Sequence, residues 1–253
     1  MGTKMRSIPT LMLLAAALTV SACAGHSPAG GEAAMDQVND PLEGTNRFIY
    51  RVNDKVDTYV VRPVAVAYRD YVPGAVRRPI RNVLNNLASP IILSNDVLQG
   101  KPRRAGDTMM RFLINSTAGA VGLFDVASGW GYPRHSTDFG VTLALWDVGS
   151  GPYLFLPLLG PSNVRDGAGY AGDIVFDPLT WATFGGSSAV EGAQFGINAV
   201  DTRERLIDPI DDVKRTALDP YATFRSVYGQ NRQSTIDETR NDNRATVPAW
   251  FNH

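Results

Sequence analysis

Four Asp-Pro pairs punctuate the chain, at Asp40-Pro41, Asp177-Pro178, Asp208-Pro209 and Asp219-Pro220. Proline has no N–H to give to a helix interior or a central strand, but it fits the first turn of a helix. An aspartate ahead of it accepts hydrogen bonds from the open N–H groups of that turn. Each pair therefore predicts a helix start. Ser89-Pro90 has the same form, and in Asp40-Pro41-Leu42-Glu43 an acid three residues after the cap completes a capping box. The expected fold class is all-α.

Periodicity fills in the helices. Phe48, Val52, Val56, Tyr59 and Val60 form one apolar stripe, with Arg47, Arg51, Asp54, Lys55 and Asp57 on other faces. Such a stripe reads either as core or as a lipid-facing surface. Arg62-Pro63 breaks or restarts this helix, which continues over residues 64–71. Val76, Ile80, Val83, Leu84 and Leu87 mark another helix, with Arg77, Arg78 and Arg81 beside the stripe. Residues 91–98 read as a short helix stopped by Gly100. Residues 105–118 read as a helix apolar on most of its surface, and so buried. Residues 187–207 carry Ala189, Ala193, Ile197 and Val200 on one face, with Gly192 and Gly196 allowing close approach of a neighbour. Tyr221, Phe224 and Tyr228 stripe a last helix. Between residues 119 and 172 glycine recurs, so that segment reads as irregular chain with room for a hairpin.

The N-terminus sets the compartment. Lys4 and Arg6 precede an apolar run that ends in small residues, the layout of a secretory signal peptide. The run over residues 11–20 is shorter than the roughly 20 residues a membrane span needs. The single cysteine, Cys23, sits at the cleavage point, and Val20-Ser21-Ala22-Cys23 resembles the lipobox of bacterial lipoproteins. The expected division is a signal peptide over residues 1–22, a lipidated tether over 23–39, a folded body over 40–228, and a polar, solvated or disordered tail over 229–253 with Trp250-Phe251 as its one apolar feature. The covalent lipid on Cys23 is the only attached group expected, with no cofactor. Ala24 after the cysteine favours the outer membrane by the usual sorting rule. No later run is long and apolar enough to span a bilayer, so contact of the body with lipid is expected to be monotopic or shielded by a partner.

The net charge is −1, which offers no basic excess for nucleic acid. The positive charge that exists gathers in the half nearer the anchor, where Arg77, Arg78 and Arg81 are candidates for contact with lipid phosphates. No nucleophile elbow, phosphate loop, dinucleotide fingerprint or metal cluster is present. His135-Ser136-Thr137-Asp138 places a base, a hydroxyl and an acid together, although Ser136 there reads more simply as a helix cap. An envelope hydrolase at His135 stays open as one reading.

Longer motifs narrow the choice. Asp40-Pro41-Leu42-Glu43-Gly44-x-Asn46-Arg47 and Val61-Arg62-Pro63-Val64-Ala65-Val66-Ala67-Tyr68-Arg69-Asp70-Tyr71-Val72-Pro73 resemble the opening of the MlaA (VacJ) lipoprotein family. Leu98-Gln99-Gly100, Arg111-Phe112-Leu113-Ile114-Asn115, Gly122-Leu123-Phe124-Asp125-Val126-Ala127, Gly149-x-Gly151-Pro152-Tyr153, Arg165-Asp166 and Thr202-Arg203 follow in order. The resemblance implies a ring-shaped bundle of amphipathic helices around a channel, lying in the inner, periplasmic leaflet of the cell outer membrane. It implies retrograde phospholipid transport: lipids misplaced in the outer leaflet pass through the channel to a periplasmic lipid-carrier protein and on to an inner-membrane ABC transporter. Trimeric porins are the implied neighbours, and a structural tether to porins, like an envelope lipid hydrolase at His135, stands as the alternative to lipid transport. Asn46, Phe48 and Val52 then fall in a region that controls the channel, with Gly149, Gly151 and Tyr153 as further channel or gating candidates. No catalytic residue is implied.

Overall fold

The computed structural model describes residues 39–181 and 186–241. The signal peptide, Cys23, nearly all of the tether and Trp250-Phe251 lie outside the described residues. Helix α1 (Glu43–Val56) runs into a π-turn (Asp57–Val61) and on into α2 (Arg62–Tyr71). Pro63 has no N–H to donate, and the π-turn just before it absorbs the shift in hydrogen bonding, so the chain bends its pattern without breaking. Then come α3 (Gly74–Leu98), α4 (Pro102–Thr117), the short α5 (Val126–Gly129) and α6 (Phe139–Leu145). A hairpin of β1 (Tyr153–Leu156) and β2 (Gly160–Asn163) follows, antiparallel, with Tyr153 opposite Asn163 and Leu156 opposite Gly160. The chain ends in α7 (Val164–Phe176), α8 (Pro178–Trp181), α9 (Ser187–Arg205), α10 (Ile207–Thr216) and α11 (Pro220–Asn241).

The all-α reading holds, with the hairpin as the only sheet among the described residues. Neighbour relations close on themselves. From α1 they run through α2, α9, α3, α6, α11 and the hairpin, and return to α1. Asp177 and Asp219 start helices as expected: Asp177 Oδ1 accepts from Leu179 N at 2.9 Å and Asp219 Oδ1 from Ala222 N at 3.2 Å. Asp208-Pro209 lies in the first turn of α10. Asp40 does something else, described below.

Four expectations change. Ser89-Pro90 does not start a helix, because α3 continues through both Pro79 and Pro90 for 25 residues. Packing against α4, α6, α7 and α9 holds it together where a solvated helix would break. Helix α4 is not buried over most of its surface, since Met109, Met110 and Leu113 are exposed. The glycine-rich segment is less irregular than expected: α5, α6, the hairpin and much of α7 fall within it. Gly169 of α7 lies so close to α6 that an added Cβ would sit 2.5 Å from Gly140 N, so glycine here serves helix contact. Finally, no tail begins at residue 229. Helix α11 runs to Asn241, and Ile236 is buried with Val141 and Ala144. One buried residue per several turns leaves no stripe to read, but Arg232 and Ile236 tie the helix down.

Candidate functional site

The buried residues are the first clue. Among the described residues the apolar core forms three small clusters: Ile114 with Ala127 and Tyr132; Val141 with Ala144 and Ile236; Tyr153 with Phe155 and Tyr221. Most other buried side chains are polar. On α3 the buried positions are Asn86, Ser89, Asn95 and Asp96, while Val76, Leu87 and Val97 are exposed. On α4, Arg104, Thr108 and Asn115 are buried and Leu113 is exposed. Helix α7 buries Arg165 and Asp166 and exposes Ile174 and Val175; α9 buries Asp201 and Arg203 and exposes Phe195 and Ile197. A globular protein in water shows the reverse arrangement, and apolar exposure on this scale marks a lipid or protein contact.

The polar interior is held by paired charges. Arg81 makes two 2.9 Å bonds to Asp201, and Arg77 pairs with Glu204, joining α3 to α9. Arg203 and Lys214 both grip Asp57 at the π-turn, at 2.6 and 2.9 Å. Arg232 bridges Asp138 at 2.6 Å and Asp166 at 2.8 Å. Burial pushes the Asp166 carboxyl up, but Tyr228, Arg232 and Arg165 outweigh it and hold it below its ordinary value.

Between α3, α4, α9 and the segment before α6 lies a cavity of about 330 Å³. One wall is apolar, from Leu84, Ile91 and Ile92. The rest of the lining is carboxamide and charge: Asn82, Asn85 and Asn86 on the same helix, and Asn198, Arg111 and Arg134 from other segments. Arg111 is bound bidentately by Asp125 at 2.9 Å, which also accepts from Asn115.

Asn46 is the most engaged of the residues singled out from the sequence. It is 2% exposed, and its amide replaces a strand beside β1. Nδ2 donates to Tyr153 O at 3.0 Å and to Asp40 Oδ1 at 2.7 Å, while Oδ1 accepts from Phe155 N at 2.9 Å. Two turns along α1, Asn53 repeats the grip, donating to Leu156 O at 2.8 Å and accepting from Leu158 N at 3.0 Å. Together they fix the hairpin to α1. Asp40 braces the same joint, accepting also from Tyr221 and from Arg225 at 2.8 Å. Burial raises its carboxyl, and these three bonds bring it below its ordinary value.

Tyr153 is brought to Asn46. It is 1% exposed, edge-on to Tyr221 and Tyr228 at 6.2 Å, and its hydroxyl has no hydrogen-bond partner among the described residues. Burial pushes that hydroxyl's pKa up. Gly151 is needed for its backbone: φ is +66°, and a Cβ would lie 3.1 Å from Val164 Cβ. Gly149 has open space where a Cβ would go. Phe48 and Val52 are not brought to this joint. They sit on the outer face of α1, 59% and 43% exposed. Of the arginine trio, Arg77 and Arg81 are used in the α3–α9 ion pairs, and Arg78 is exposed with no ion pair among the described residues.

His135 does not form a relay with a hydroxyl. Its Nε2 lies 2.8 Å from buried Asp96 Oδ2 and 3.2 Å from Thr108 Oγ1, and Thr108 itself donates to Asp96 at 2.8 Å. A triad places carboxylate and nucleophile on opposite ring nitrogens. Here both meet the same nitrogen.

The sequence reading missed the cavity. Its signal was present: Asn82, Asn85, Asn86 and Ser89 recur at i, i+3, i+4 and i+7, a polar stripe on a helix whose other faces are apolar. Arg232 was missed because it fell in the segment read as tail.

Comparison with known proteins agrees with this architecture. The family model described as MlaA lipoprotein matches residues 38–235. Curated relatives named as the intermembrane phospholipid transport system lipoprotein MlaA, from Shigella flexneri and Escherichia coli K12, are each 37% identical over 87% of this chain and 86% of their own. The protein of that name from Haemophilus influenzae is 32% identical, covering 93% of this chain and 92% of its own. A solved chain from work on the structural basis for maintenance of bacterial outer membrane lipid asymmetry superposes with a TM-score of 0.69 at 36% identity, covering 78% of this chain and 98% of that one. The fold thus defines an all-α body with a largely polar interior and apolar side chains exposed on several helices. The chain belongs to the MlaA lipoprotein family.

Proposed function

We propose that this protein is an outer-membrane lipoprotein, anchored through Cys23 in the periplasmic leaflet, that removes misplaced phospholipids from the outer leaflet through an amphipathic channel. The observation that carries this reading is the inversion of α3: carboxamides and a carboxylate buried, Val76, Leu87 and Val97 exposed. A phospholipid has a charged head and apolar tails, so a body that carries it through a leaflet needs a polar interior and an outer surface that tolerates acyl chains. No helix among the described residues is long and apolar enough to cross a membrane, which suits a body seated in one leaflet. The lipid passes on to a periplasmic carrier and, through it, to an inner-membrane ABC transporter. Trimeric porins are the proposed neighbours. The chemistry asks for no covalent change to the lipid, and hence for no catalytic group.

Within this reading Asn46 and Tyr153 set the position of the hairpin, with Gly149 and Gly151 shaping its approach, and Phe48 and Val52 meet the surroundings of α1. Phe48→Asp is expected to change channel control while leaving the fold intact, because the ring is already exposed. Arg78 is the member of the arginine trio placed to meet lipid phosphates.

Deletion of the gene is expected to raise surface-exposed phospholipid, measured with an outer-leaflet-specific lipid probe, and to increase detergent sensitivity. An unchanged outer leaflet would overturn the proposal. Cross-linking to a porin without any change in lipid distribution would support a tether instead.

A further inference from the structure

We infer that Arg134, held by Asn85 in the cavity between α3, α4 and α9, is the station that receives the phosphate group of a phospholipid in transit. The inference rests on the lipid-transport reading above and names the group within it that makes the ionic contact.

Charge in the cavity singles this arginine out. Arg111, on the same lining, is neutralised by Asp125 through two 2.9 Å bonds. His135 is turned to Asp96. Arg134 has no carboxylate partner among the described residues; its one hydrogen bond runs from Nη2 to Asn85 Oδ1 at 2.6 Å. With Arg111 and Arg134 set against Asp125, the lining carries one surplus positive charge. That bond fixes one side of the guanidinium and leaves its other N–H groups for an acceptor. A planar fork of donors suits two oxygens of a phosphate.

The surroundings agree. Solvent reaches Arg134, yet protein surrounds it closely enough that burial pulls its pKa below the usual arginine value. Asn86 lies on the same lining. One end of its amide bonds to Ser116 Oγ at 2.9 Å and the other has no partner among the described residues. Leu84, Ile91 and Ile92 supply an apolar wall for the start of the acyl chains. The volume of about 330 Å³ lies at the small end of ligand sites, suited to a headgroup more than to a whole two-chain lipid.

The test uses the full-length lipidated protein in detergent, with wild type, Arg134→Gln and Arg134→Lys compared. Binding of a short-chain phosphatidylglycerol, of the matching diacylglycerol, and of inorganic phosphate is followed by titration calorimetry, with thermal unfolding as a check on folding. The expected result is a tenfold or greater loss of phosphatidylglycerol affinity in Arg134→Gln and partial retention in Arg134→Lys. Diacylglycerol binding stays unchanged, and inorganic phosphate binds much more weakly than the lipid. Equal phosphatidylglycerol affinity in wild type and a folded Arg134→Gln overturns the assignment while leaving the lipid-transport reading standing. Inorganic phosphate binding as tightly as the lipid overturns it in favour of a free-anion site. A wild type that binds no phospholipid overturns both.

Discussion

At Asn46 a single amide closes three hydrogen bonds in a nearly water-free joint. Replacing it by alanine leaves the Phe155 N–H, the Tyr153 carbonyl and Asp40 each short of a partner. Each buried unsatisfied group costs roughly 1–3 kcal/mol. Asn46→Ala should therefore destabilise the protein by about 3 kcal/mol or more, read by denaturation in detergent, whereas Phe48→Ala two residues on should cost under about 1 kcal/mol. Asp173 makes a different prediction. Burial outweighs its bonds from Asn95 at 2.8 Å and Phe139 N at 3.0 Å, and its pKa is pushed up to about 6. The folded state then holds a proton more tightly than the unfolded chain, so the stability this group supplies is present below about pH 4 and lost as pH rises through 6. Asp173→Asn keeps an acceptor and removes the charge. It should be about 1–2 kcal/mol more stable than wild type at pH 7.5 and no more stable at pH 4, compared by unfolding at both values. Asp40 and Asp166, held below their ordinary values, act with the opposite sign: what they contribute is present above about pH 4 and lost on further acidification.

Among the elements, those with strong local chemistry were legible in advance. Asp177 and Asp219 cap the helices their prolines announce, and the hairpin has a place in the glycine-rich segment. Continuity was not legible at Pro63 or Pro90, because what carries a helix past a proline is a π-turn or neighbouring helices, and neither is written locally. The orientation of the helices was read only in part. The stripe of Phe48 and Val52 left core and lipid-facing readings open, and both side chains turn out exposed. On α3 the apolar stripe drew attention while the face turned inward is Asn86 and Ser89. Periodicity tells that two faces differ, and only the medium decides which one is inside. Helix α11 failed for another reason: Arg232 and Ile236 act singly, through distant partners. Truncation after Tyr228 removes both. It is expected to destabilise the body by several kcal/mol, and Arg232→Ala alone by about 2–4 kcal/mol, since Asp138 would lose its cation and Asp166 would keep only that of Arg165. Unfolding of the shortened protein at the wild-type midpoint would show that the last helix is dispensable.

At the scale of the whole molecule the account rests on one claim: a polar interior lies behind apolar faces because the medium outside those faces is lipid. Four helices share this arrangement, with Leu87 and Val97 on α3, Met109 and Leu113 on α4, Ile174 and Val175 on α7, and Phe195 and Ile197 on α9 all exposed. Motifs along the chain pointed to the family, yet no single residue announced the inversion, since it is a property of burial summed over helices. The most direct measurement is photolabelling of the reconstituted protein by phospholipids with a diazirine near the end of an acyl chain, with labelled sites mapped by mass spectrometry. The account predicts labels concentrated on those eight residues and their exposed neighbours, with Asn46, Asn95 and Asp201 unlabelled. Labels absent from the exposed apolar faces, or no denser there than at exposed polar positions such as Asp208 and Glu238, would contradict it.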